Sequence, residues 1–425
     1  MINPRGGLSE RLARSSNLVA EAFSGYKVKI PWLKLTLRFR DRVGEASKLV
    51  NPPYIANPMM ILYGPVGCGK SEIARALLYG AEASRGKGST VEILLLTAPE
   101  AEGGVLSIEY TQGFKEYVES TLRGRGFEYS VHIGGSVGLP GVASLSVGLT
   151  IEPGQVENIR LPLLWSIIDK LVANPGEGRD YIVFLDEFRG VSEGSLKSFV
   201  EKTADTIGRM HSNIMDRGNS SISMIVSTSD SIAAYHIGPY SPKYLKVYMW
   251  NLPFKAFNEV VEELGGRGAL GDLEETSRRL GVSVVDLSWR LFGGNVRELL
   301  LASALGLEGW VRRAVANVTA ALAKAVRDRR LSESEAVSEV KRIGEEGAEA
   351  LSTSPLYDEM LRRNIAIDLV GALGISDAPR EKWISEGSSF QLPIYFHVVR
   401  AIADKRSLHV EPGDVVNVVL RVDWT

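Results

Sequence analysis

The sequence predicts an α/β protein: a three-layer core built on a five-stranded parallel sheet, followed by a helical lid and a small α/β C-terminal domain. Five apolar runs rich in β-branched residues have the length of buried parallel strands, and helical patterns lie between several of them. After residue 252 the hydrophobic period becomes helical. The five runs are MMILY at 59–63, VEILLLT at 91–97, YIVFLD at 181–186, SISMIVS at 221–227 and YLKVYMW at 244–250.

The domain limits follow from these patterns. Residues 1–33 are predicted to be an N-terminal helical extension, and residues 34–252 the three-layer core. Between the second and third runs, short stretches of Val, Leu and Ser broken by Gly indicate a β-hairpin insert near 103–152. Residues 253–310 contain short helical segments that each end in Gly, which is typical of helix C-termini and predicts the lid.

Residues 311–425 make up the predicted C-terminal domain. An amphipathic stretch opens it, and Ser332 with Glu335 then supplies a capping-box start for another helix. Near the end, the β-branched run VVNVVLRVDW is strand-like. We therefore expect this domain to mix helices with a final strand.

Composition narrows the class of protein. With 49 Lys and Arg against 51 Asp and Glu, the formal charge is −2. The protein as a whole therefore does not attract nucleic acid or anionic lipid, and binding of such a partner would need a local cluster of basic residues. The single cysteine excludes an internal disulfide and suits a reducing compartment, which makes the cytoplasm the expected location. No run approaches the roughly 20 apolar residues that span a bilayer, so we expect no membrane partner.

The strongest motif is GPVGCGKS, which follows the first apolar run and precedes the helical pattern SEIARALLYG. Its glycines allow successive backbone N–H groups to point into one hollow, and the helix N-terminus adds positive potential for a polyphosphate. Lys70 would reach the β- and γ-phosphates, and the Ser71 hydroxyl would bind Mg²⁺. The alternative is a Gly-rich turn without a ligand. The motif predicts an ATP site formed by Gly64, Pro65, Val66, Gly67, Cys68, Gly69, Lys70 and Ser71.

The second motif is a pair of acids, Asp186 and Glu187, at the end of the apolar run YIVFLD. Asp186 is predicted to hold Mg²⁺ through its water shell, and Glu187 to orient and deprotonate the water that attacks the γ-phosphate. Solvated turn residues would be the alternative interpretation. With the glycine-rich loop upstream, the pair predicts hydrolysis of ATP as well as binding.

Two further polar residues are candidates for sensing the γ-phosphate. Ser229 follows the run SISMIVS and is preferred over Thr228; a helix-capping role for Ser229 or Asp230 is the alternative. Arg297, in GGNVRELL, would reach the γ-phosphate from the predicted lid, unless it is a solvated partner of Glu298.

Together these residues resemble the archaeal ATPase family, a relative of the AAA+ and STAND nucleotide switches. Besides the P-loop and the acids in FLDEF, the similarity includes GGNVREL, the tail segment SSFQLPIYFHVVRAI, and an opening motif formed by Phe39, Asp41, Arg42, Glu45 and Leu49. The resemblance implies a five-stranded ATPase core, a helical lid and a C-terminal domain of winged-helix type.

The chain departs from this pattern at two places. Val296 stands where Pro is common in the lid motif. The segment before the fifth run has Lys243 but no Arg where ring-forming AAA+ proteins carry a finger for the neighbouring subunit, and a Lys is a point charge rather than a planar fork. The oligomeric state is thus left open, with Arg189, Arg209 and Arg217 as alternative fingers.

Three functions are compatible with these motifs. The first is an ATP-driven motor or conformational switch acting on a protein client. The second is a DNA-binding ATPase of initiator or mobile-element type, and the third is a slow STAND-like signalling switch. For DNA, the expected contacts are Arg123 and Arg125 in the insert and, in the C-terminal domain, Arg362, Arg363, Arg380, Lys382, Arg400, Lys405 and Arg406.

Overall fold

The computed structural model describes residues 4–50, 58–97, 106–125, 129–133, 142–147, 156–188, 193–238, 241–329, 331–374 and 378–421. The chain forms two compact units. The first comprises Met1–Leu62, Gly69–Thr228 and Tyr240–Val247, and the second comprises Tyr63–Cys68, Ser229–Pro239 and Tyr248–Thr425.

Strands and helices alternate along the first 250 residues. In chain order they are α1 (Pro4–Gly25), β1 (Lys27–Ile30), β2 (Leu35–Arg38), α2 (Val43–Val50), β3 (Met59–Tyr63), α3 (Lys70–Ala83), β4 (Val91–Thr97), β5 (Leu106–Tyr110), α4 (Lys115–Arg125), β6 (Tyr129–Ile133), β7 (Ala143–Val147), α5 (Val156–Ala173), β8 (Asp180–Asp186), α6 (Glu193–Gly218), β9 (Ser221–Thr228), α7 (Ser231–His236) and β10 (Leu245–Tyr248).

Helices dominate the remainder of the chain. They are α8 (Phe254–Gly265), α9 (Gly271–Leu280), α10 (Val284–Phe292), α11 (Val296–Leu305), α12 (Leu307–Arg329), α13 (Glu333–Glu346), α14 (Tyr357–Arg362), α15 (Pro393–Lys405) and α16 (Pro412–Arg421), with the short strands β11 (Ala366–Asp368), β12 (Leu373–Gly374) and β13 (Ser388–Phe390).

The central sheet runs in the order β10, β3, β9, β8, β4, β5, β7, β6. β8 pairs in parallel with β4 on one side and with β9 on the other, whereas β5, β7 and β6 continue the sheet beyond β4 in antiparallel pairs. All five apolar runs are strands, and they are neighbours in this order. The predicted α/β class with a parallel-rich central sheet is confirmed.

Burial explains why these runs are strands without polar alternation. Every residue of β3 is buried, and β8 is buried from Tyr181 to Asp186. A parallel strand covered on both faces needs an apolar side chain at each position, so period-2 alternation disappears. The first polar groups appear where β3 and β8 end, and there the candidate site begins.

Helix ends in the second unit follow the predicted cap chemistry. Gly281 after α9 and Gly293 after α10 have left-handed backbone conformations, with φ of 67° and 54°. Ser332 and Glu335 form the predicted capping box at the start of α13. Glycine and short polar residues thus set these boundaries, because they satisfy backbone groups that the helix leaves unpaired.

The prediction for the end of the chain is wrong. The described part of the run VVNVVLRVDW, residues 415–421, belongs to the helix α16 and not to a strand. The buried residues of α16 include Val415, Val418 and Val419, which recur at helical spacing, and Pro412 begins the helix. Helical packing therefore overrides the strand preference of the β-branched residues.

Candidate functional site

The last residues of the glycine-rich motif open α3 in the first unit. Gly69 precedes the helix with a φ of 103°, a conformation that L side chains rarely adopt, and Lys70 and Ser71 are the first two residues of the helix. The first turn of an α-helix directs backbone N–H groups outward along the helix axis, which makes this turn suitable for an anion. Lys70 is buried, with 5% of its surface exposed, and Ser71 is half-buried.

The preceding part of the motif, residues 64–68, lies in the second unit and requires glycine at two positions. A Cβ at Gly64 would lie 2.0 Å from the carbonyl oxygen of Met249. Gly67 has a φ of 82°, and a Cβ there would lie 2.7 Å from the Cβ of Arg297. Arg297 is therefore packed directly against the loop, while its side chain as a whole is exposed. Its sensing role remains a prediction.

Two buried amide side chains hold the backbone of Val66. The Val66 carbonyl oxygen accepts a hydrogen bond from Nδ2 of Asn295 at 2.8 Å, and the Val66 N–H donates to Oε1 of Gln391 at 2.9 Å. Asn295 also caps α11 by accepting from the Glu298 N–H at 3.1 Å. We call Asn295 and Gln391 the Val66 clamp. Neither residue was assigned a role from the sequence, although the resemblance motifs GGNVREL and SSFQLPIYFHVVRAI contain them.

The acidic pair lies at the end of β8 in the first unit, where Ser227 of the adjacent strand β9 organises it. The Ser227 hydroxyl donates to Oδ1 of Asp186 and accepts from the Glu187 N–H at 3.4 Å. The Phe188 N–H donates to the Ser227 carbonyl oxygen at 2.8 Å. Glu187 has a φ of 51°, so the chain turns sharply directly after Asp186.

A buried arginine supports the same turn. Arg160, on α5, has no exposed surface, and its guanidinium donates to the carbonyl oxygen of Asp186. The guanidinium also lies over the ring of Phe188, 6.0 Å from its centroid. Sequence reasoning missed Arg160, because nothing in the pattern of α5 separates it from a surface cation.

The first unit offers oxygen ligands that fit Mg²⁺. Asp186 is buried, and no hydrogen bond from the described residues reaches its second carboxylate oxygen, Oδ2. A buried carboxylate oxygen without a donor is costly unless a cation or water meets it. Within the described ranges, no group of three or more His, Cys, Asp or Glu side chains is placed to hold a metal. Asp186 and the Ser71 hydroxyl are the residues that would bind the ion, together with phosphate and water oxygens.

Three polar residues at the end of β9 are candidates for a γ-phosphate contact or a helix cap: Thr228, Ser229 and Asp230. Asp230 caps α7 by accepting from the Ala233 N–H at 3.1 Å, so the capping alternative holds for Asp230. Thr228 is buried at the end of β9, and Ser229 is half-buried in the second unit. The γ-phosphate role of Ser229 stays a prediction.

Lys243 forms an ion pair with Asp205. It occupies the position at which ring-forming AAA+ proteins carry an arginine finger. Its Nζ lies 2.8 Å from Oδ2 of Asp205, and this hydrogen bond raises the pKa of Lys243. Among the alternatives, Arg217 donates to the Val172 carbonyl oxygen at 3.4 Å, Arg209 is exposed, and Arg189 lies outside the described residues. None of these contacts identifies a finger.

Comparison with known proteins gives a distant structural likeness. No protein-family model matches the chain, and no curated protein matches it. The chain is similar to the solved structure of the Aeropyrum pernix ORC2 protein, described as ADPNP-ADP complexes, with 16% identity, coverage of 90% of this chain and 93% of that chain, and a TM-score of 0.33.

Fold and site together define the class: a mixed α/β protein in which a glycine-rich loop follows one strand of a parallel-rich sheet and paired acids end another. In the part of the chain that the structure describes, none of the helices combines the length and apolar character needed to cross a bilayer.

Proposed function

We propose that the chain is an AAA+-like protein that binds ATP and hydrolyses it with Mg²⁺, acting as a motor or conformational switch. The observation that carries the proposal is the acidic pair: Ser227 holds Asp186 and Glu187 at a strand end, while one buried oxygen of Asp186 receives no hydrogen bond from the residues that the structure describes. The loop Gly64–Ser71, which follows β3 and opens α3, supplies the phosphate-binding part.

Each residue has one task in this proposal. Lys70 binds the β- and γ-phosphates, and Ser71 and Asp186 would hold Mg²⁺, which would supply positive charge beside the phosphate oxygens. Glu187 orients the attacking water and accepts its proton. Ser229 and Arg297 contact the γ-phosphate and report its presence.

The proposal extends to the organisation of the chain. Residues 34–252 would be the ATPase core, residues 253–310 the lid, and residues 311–425 a winged-helix-like domain that contacts a client. The cytoplasm would be the place of action, since the chain has one cysteine.

The test of the main proposal measures binding and turnover on the full chain. Calorimetric titration with Mg-ATP should give saturable one-to-one binding, and phosphate release should require Mg²⁺ and stop in excess EDTA. Phosphate release that persists with EDTA, or an absence of binding at millimolar ATP, would contradict the proposal.

A specific surface favours nucleic acid as a second, compatible function. β1 and β2 form an antiparallel hairpin in which Lys27 lies opposite Arg38. Lys27, Lys29, Lys34 and Arg38 are exposed, and no described carboxylate lies within ion-pair distance of them. Trp32, near the turn, is 63% exposed. Unpaired cations beside an exposed aromatic ring match the phosphates and bases of a nucleic acid.

The surfaces expected from the sequence are less available. Arg123 lies 3.9 Å from Glu119, and Arg125 donates to the Pro162 carbonyl oxygen at 3.1 Å. In the second unit, Arg363 pairs with Glu359 and Lys405 with Asp414. Cations that are paired with carboxylates, as Arg123, Arg363 and Lys405 are, release fewer counterions on binding DNA. Arg125 is hydrogen-bonded to a neutral oxygen and keeps its full charge. The hairpin is therefore the better candidate.

Binding to a labelled single strand and to a labelled duplex of DNA, each over a range of salt concentrations, tests this second function. If the hairpin contacts phosphates, Lys27→Gln with Arg38→Gln should weaken binding and reduce the salt slope by about 2. Arg123→Gln with Arg125→Gln is the charge-matched control. Weakening by the control pair but not by the hairpin pair would assign the contact to the insert, and a flat salt response would remove DNA as a partner.

A further inference from the structure

Gln391 joins the glycine-rich loop to a second functional segment, through atoms that all lie within the second unit. Its Oε1 accepts from the Val66 N–H at 2.9 Å, and its Nε2 donates to Oγ of Ser231 at 2.7 Å. The Ser231 N–H in turn donates to Oδ1 of Asn364 at 3.0 Å. We call the series Val66, Gln391, Ser231 and Asn364 the Gln391 link.

The orientation of the Gln391 amide is fixed by its partners. The backbone N–H of Val66 is only a donor, so the carbonyl end of the amide must face it. The amino end then faces the Ser231 hydroxyl, which accepts. Because Gln391 and Ser231 are each 2% exposed, water does not compete freely for these bonds, and a broken bond leaves a buried polar group unpaired.

A second route of hydrogen bonds connects the same residues. Asn295 donates to the Val66 carbonyl oxygen at 2.8 Å and to Oδ1 of Asn251 at 2.9 Å. Asn251 donates from Nδ2 to the Gln391 carbonyl oxygen at 3.4 Å. The two peptide groups of Val66 are thus held by Asn295 and Gln391, and both of these residues are hydrogen-bonded to Asn251. A displacement of Val66 therefore disturbs the hydrogen bonds of Asn295 and Gln391 together.

The far end of the link is also a candidate part of the site. Ser231 is the first residue of α7, two positions after Ser229, which we proposed as a γ-phosphate contact. Gln391 itself lies between β13 and α15, 325 residues from Val66. One side chain of the C-terminal region therefore contacts both the loop and the segment that follows β9.

We infer that Gln391 is a positioning residue for the nucleotide site: it sets the conformation of the loop at Val66 and couples it to the segment carrying Ser229. The inference rests on the proposed binding of ATP by this loop. Gln391 does not touch phosphate. It holds the Val66 N–H, so the N–H groups that follow remain directed toward the phosphate hollow.

The test compares Gln391→Met, which keeps the length of the side chain and removes both hydrogen bonds, with Gln112→Met. Gln112 is exposed in the first unit, so the control makes the same chemical change away from the link. Titration should show a dissociation constant for Mg-ATP raised about tenfold by Gln391→Met and unchanged by the control. Thermal unfolding without nucleotide is measured in parallel. A lower midpoint with an unchanged dissociation constant would reduce Gln391 to a structural residue and overturn the inference.

Two milder variants test the rest of the link and serve if Gln391→Met does not fold. Ser231→Ala removes the acceptor of the Gln391 amide. Asn364→Gly removes the next acceptor and suits the φ of 54° at that position. Each should raise the dissociation constant about two- to threefold. Combined with Gln391→Met, Ser231→Ala should add nothing, because the bond is already lost. The coupling would be overturned if the losses of Mg-ATP affinity from Gln391→Met and Ser231→Ala were fully additive, or if neither Ser231→Ala nor Asn364→Gly lowered the affinity.

Lys70→Ala separates failure of this inference from failure of the proposed function. If wild-type protein binds Mg-ATP, Lys70→Ala does not, and Gln391→Met binds like wild type, only the inference fails. If neither the wild-type protein nor Lys70→Ala binds Mg-ATP, both the proposed function and the inference fail.

Discussion

The acidic pair and the Val66 clamp are both built from buried polar groups, but their partners come from very different places. Ser227 stands on β9, one position beyond the parallel pair Leu185 and Val226, so the register of two adjacent strands brings it to Asp186. The clamp residues Asn295 and Gln391 lie 229 and 325 residues from Val66. Sheet register thus supports the acids, whereas long-range packing supports the loop.

This difference suggests that the acids and the loop contribute to different steps, the acids to turnover and the loop to binding. A change near the acids should alter the conversion of bound ATP, because in the proposed mechanism those groups act on the attacking water and the metal. A change near the loop should alter the affinity for nucleotide, because the loop is proposed to supply the phosphate-binding N–H groups. Variants in the two regions can therefore separate turnover from binding.

The largest effects should come from one central residue of each region. Lys70→Ala should abolish ATP binding, whereas Glu187→Gln should retain ATP and block turnover, because only Glu187 acts on the attacking water. Lys115→Ala is the control. Like Lys70, Lys115 is the first residue of a helix, but its side chain is exposed, whereas that of Lys70 is buried. Titration and phosphate release check both. Wild-type turnover by Glu187→Gln would mean that another group is the base.

Ser227→Ala should break the support of the acids without touching the loop. Asp186 loses a donor and the Glu187 N–H loses an acceptor, so kcat should fall by about 10- to 100-fold while the affinity for ATP changes less than about twofold. Ser223→Ala, on the same strand, controls for loss of a hydroxyl. A large loss of affinity with unchanged kcat would contradict the proposal that the acids act in turnover rather than in binding.

Arg297→Ala should weaken the response to the γ-phosphate by an amount on the order of 1 to 3 kcal/mol, the range for a charge-assisted contact, while the affinity for ADP stays nearly unchanged. The packing of Arg297 against Gly67 motivates this prediction. Paired titrations with ADP and a non-hydrolysable ATP analogue measure the difference. Equal losses for the two nucleotides would remove Arg297 from the sensor role and leave it as packing for the loop.

The smallest effect is expected from pH, in the C-terminal part that carries Gln391. Burial of His397, with Arg290 and Arg400 nearby, lowers its pKa to about 3, although its bond to the Arg290 carbonyl opposes this. The unfolded chain, with a His pKa near 6.5, therefore takes up the proton first as pH falls. Stability from His397 is complete above about pH 6.5 and should drop by about 1 kcal/mol at pH 6, with further loss toward pH 3.

Denaturant unfolding at pH 7.5 and pH 6 measures this loss, and His397→Gln removes the titrating group while keeping a polar side chain. The variant should show a smaller fall in unfolding free energy between the two pH values. An identical fall in both proteins would assign the pH dependence to other groups. The nucleotide affinity of the folded protein should change little over the same range, since His397 is hydrogen-bonded to the Arg290 carbonyl oxygen, which belongs to none of the proposed nucleotide-binding residues.

The sequence alone determined the parts of this protein that depend on local order: the apolar strands, the glycine-rich loop before α3, the acids that end β8, and the caps at Gly281 and Ser332. In these places a residue acts through its immediate neighbours in the chain, so spacing is sufficient. Tertiary structure decided the rest. The valines of α16 are helical because packing buries them at helical spacing, against their intrinsic preference. The partners of Val66 and Asp186 are ordinary Asn, Gln, Ser and Arg residues. Their importance arises only when folding removes water and leaves each buried polar group dependent on one distant partner.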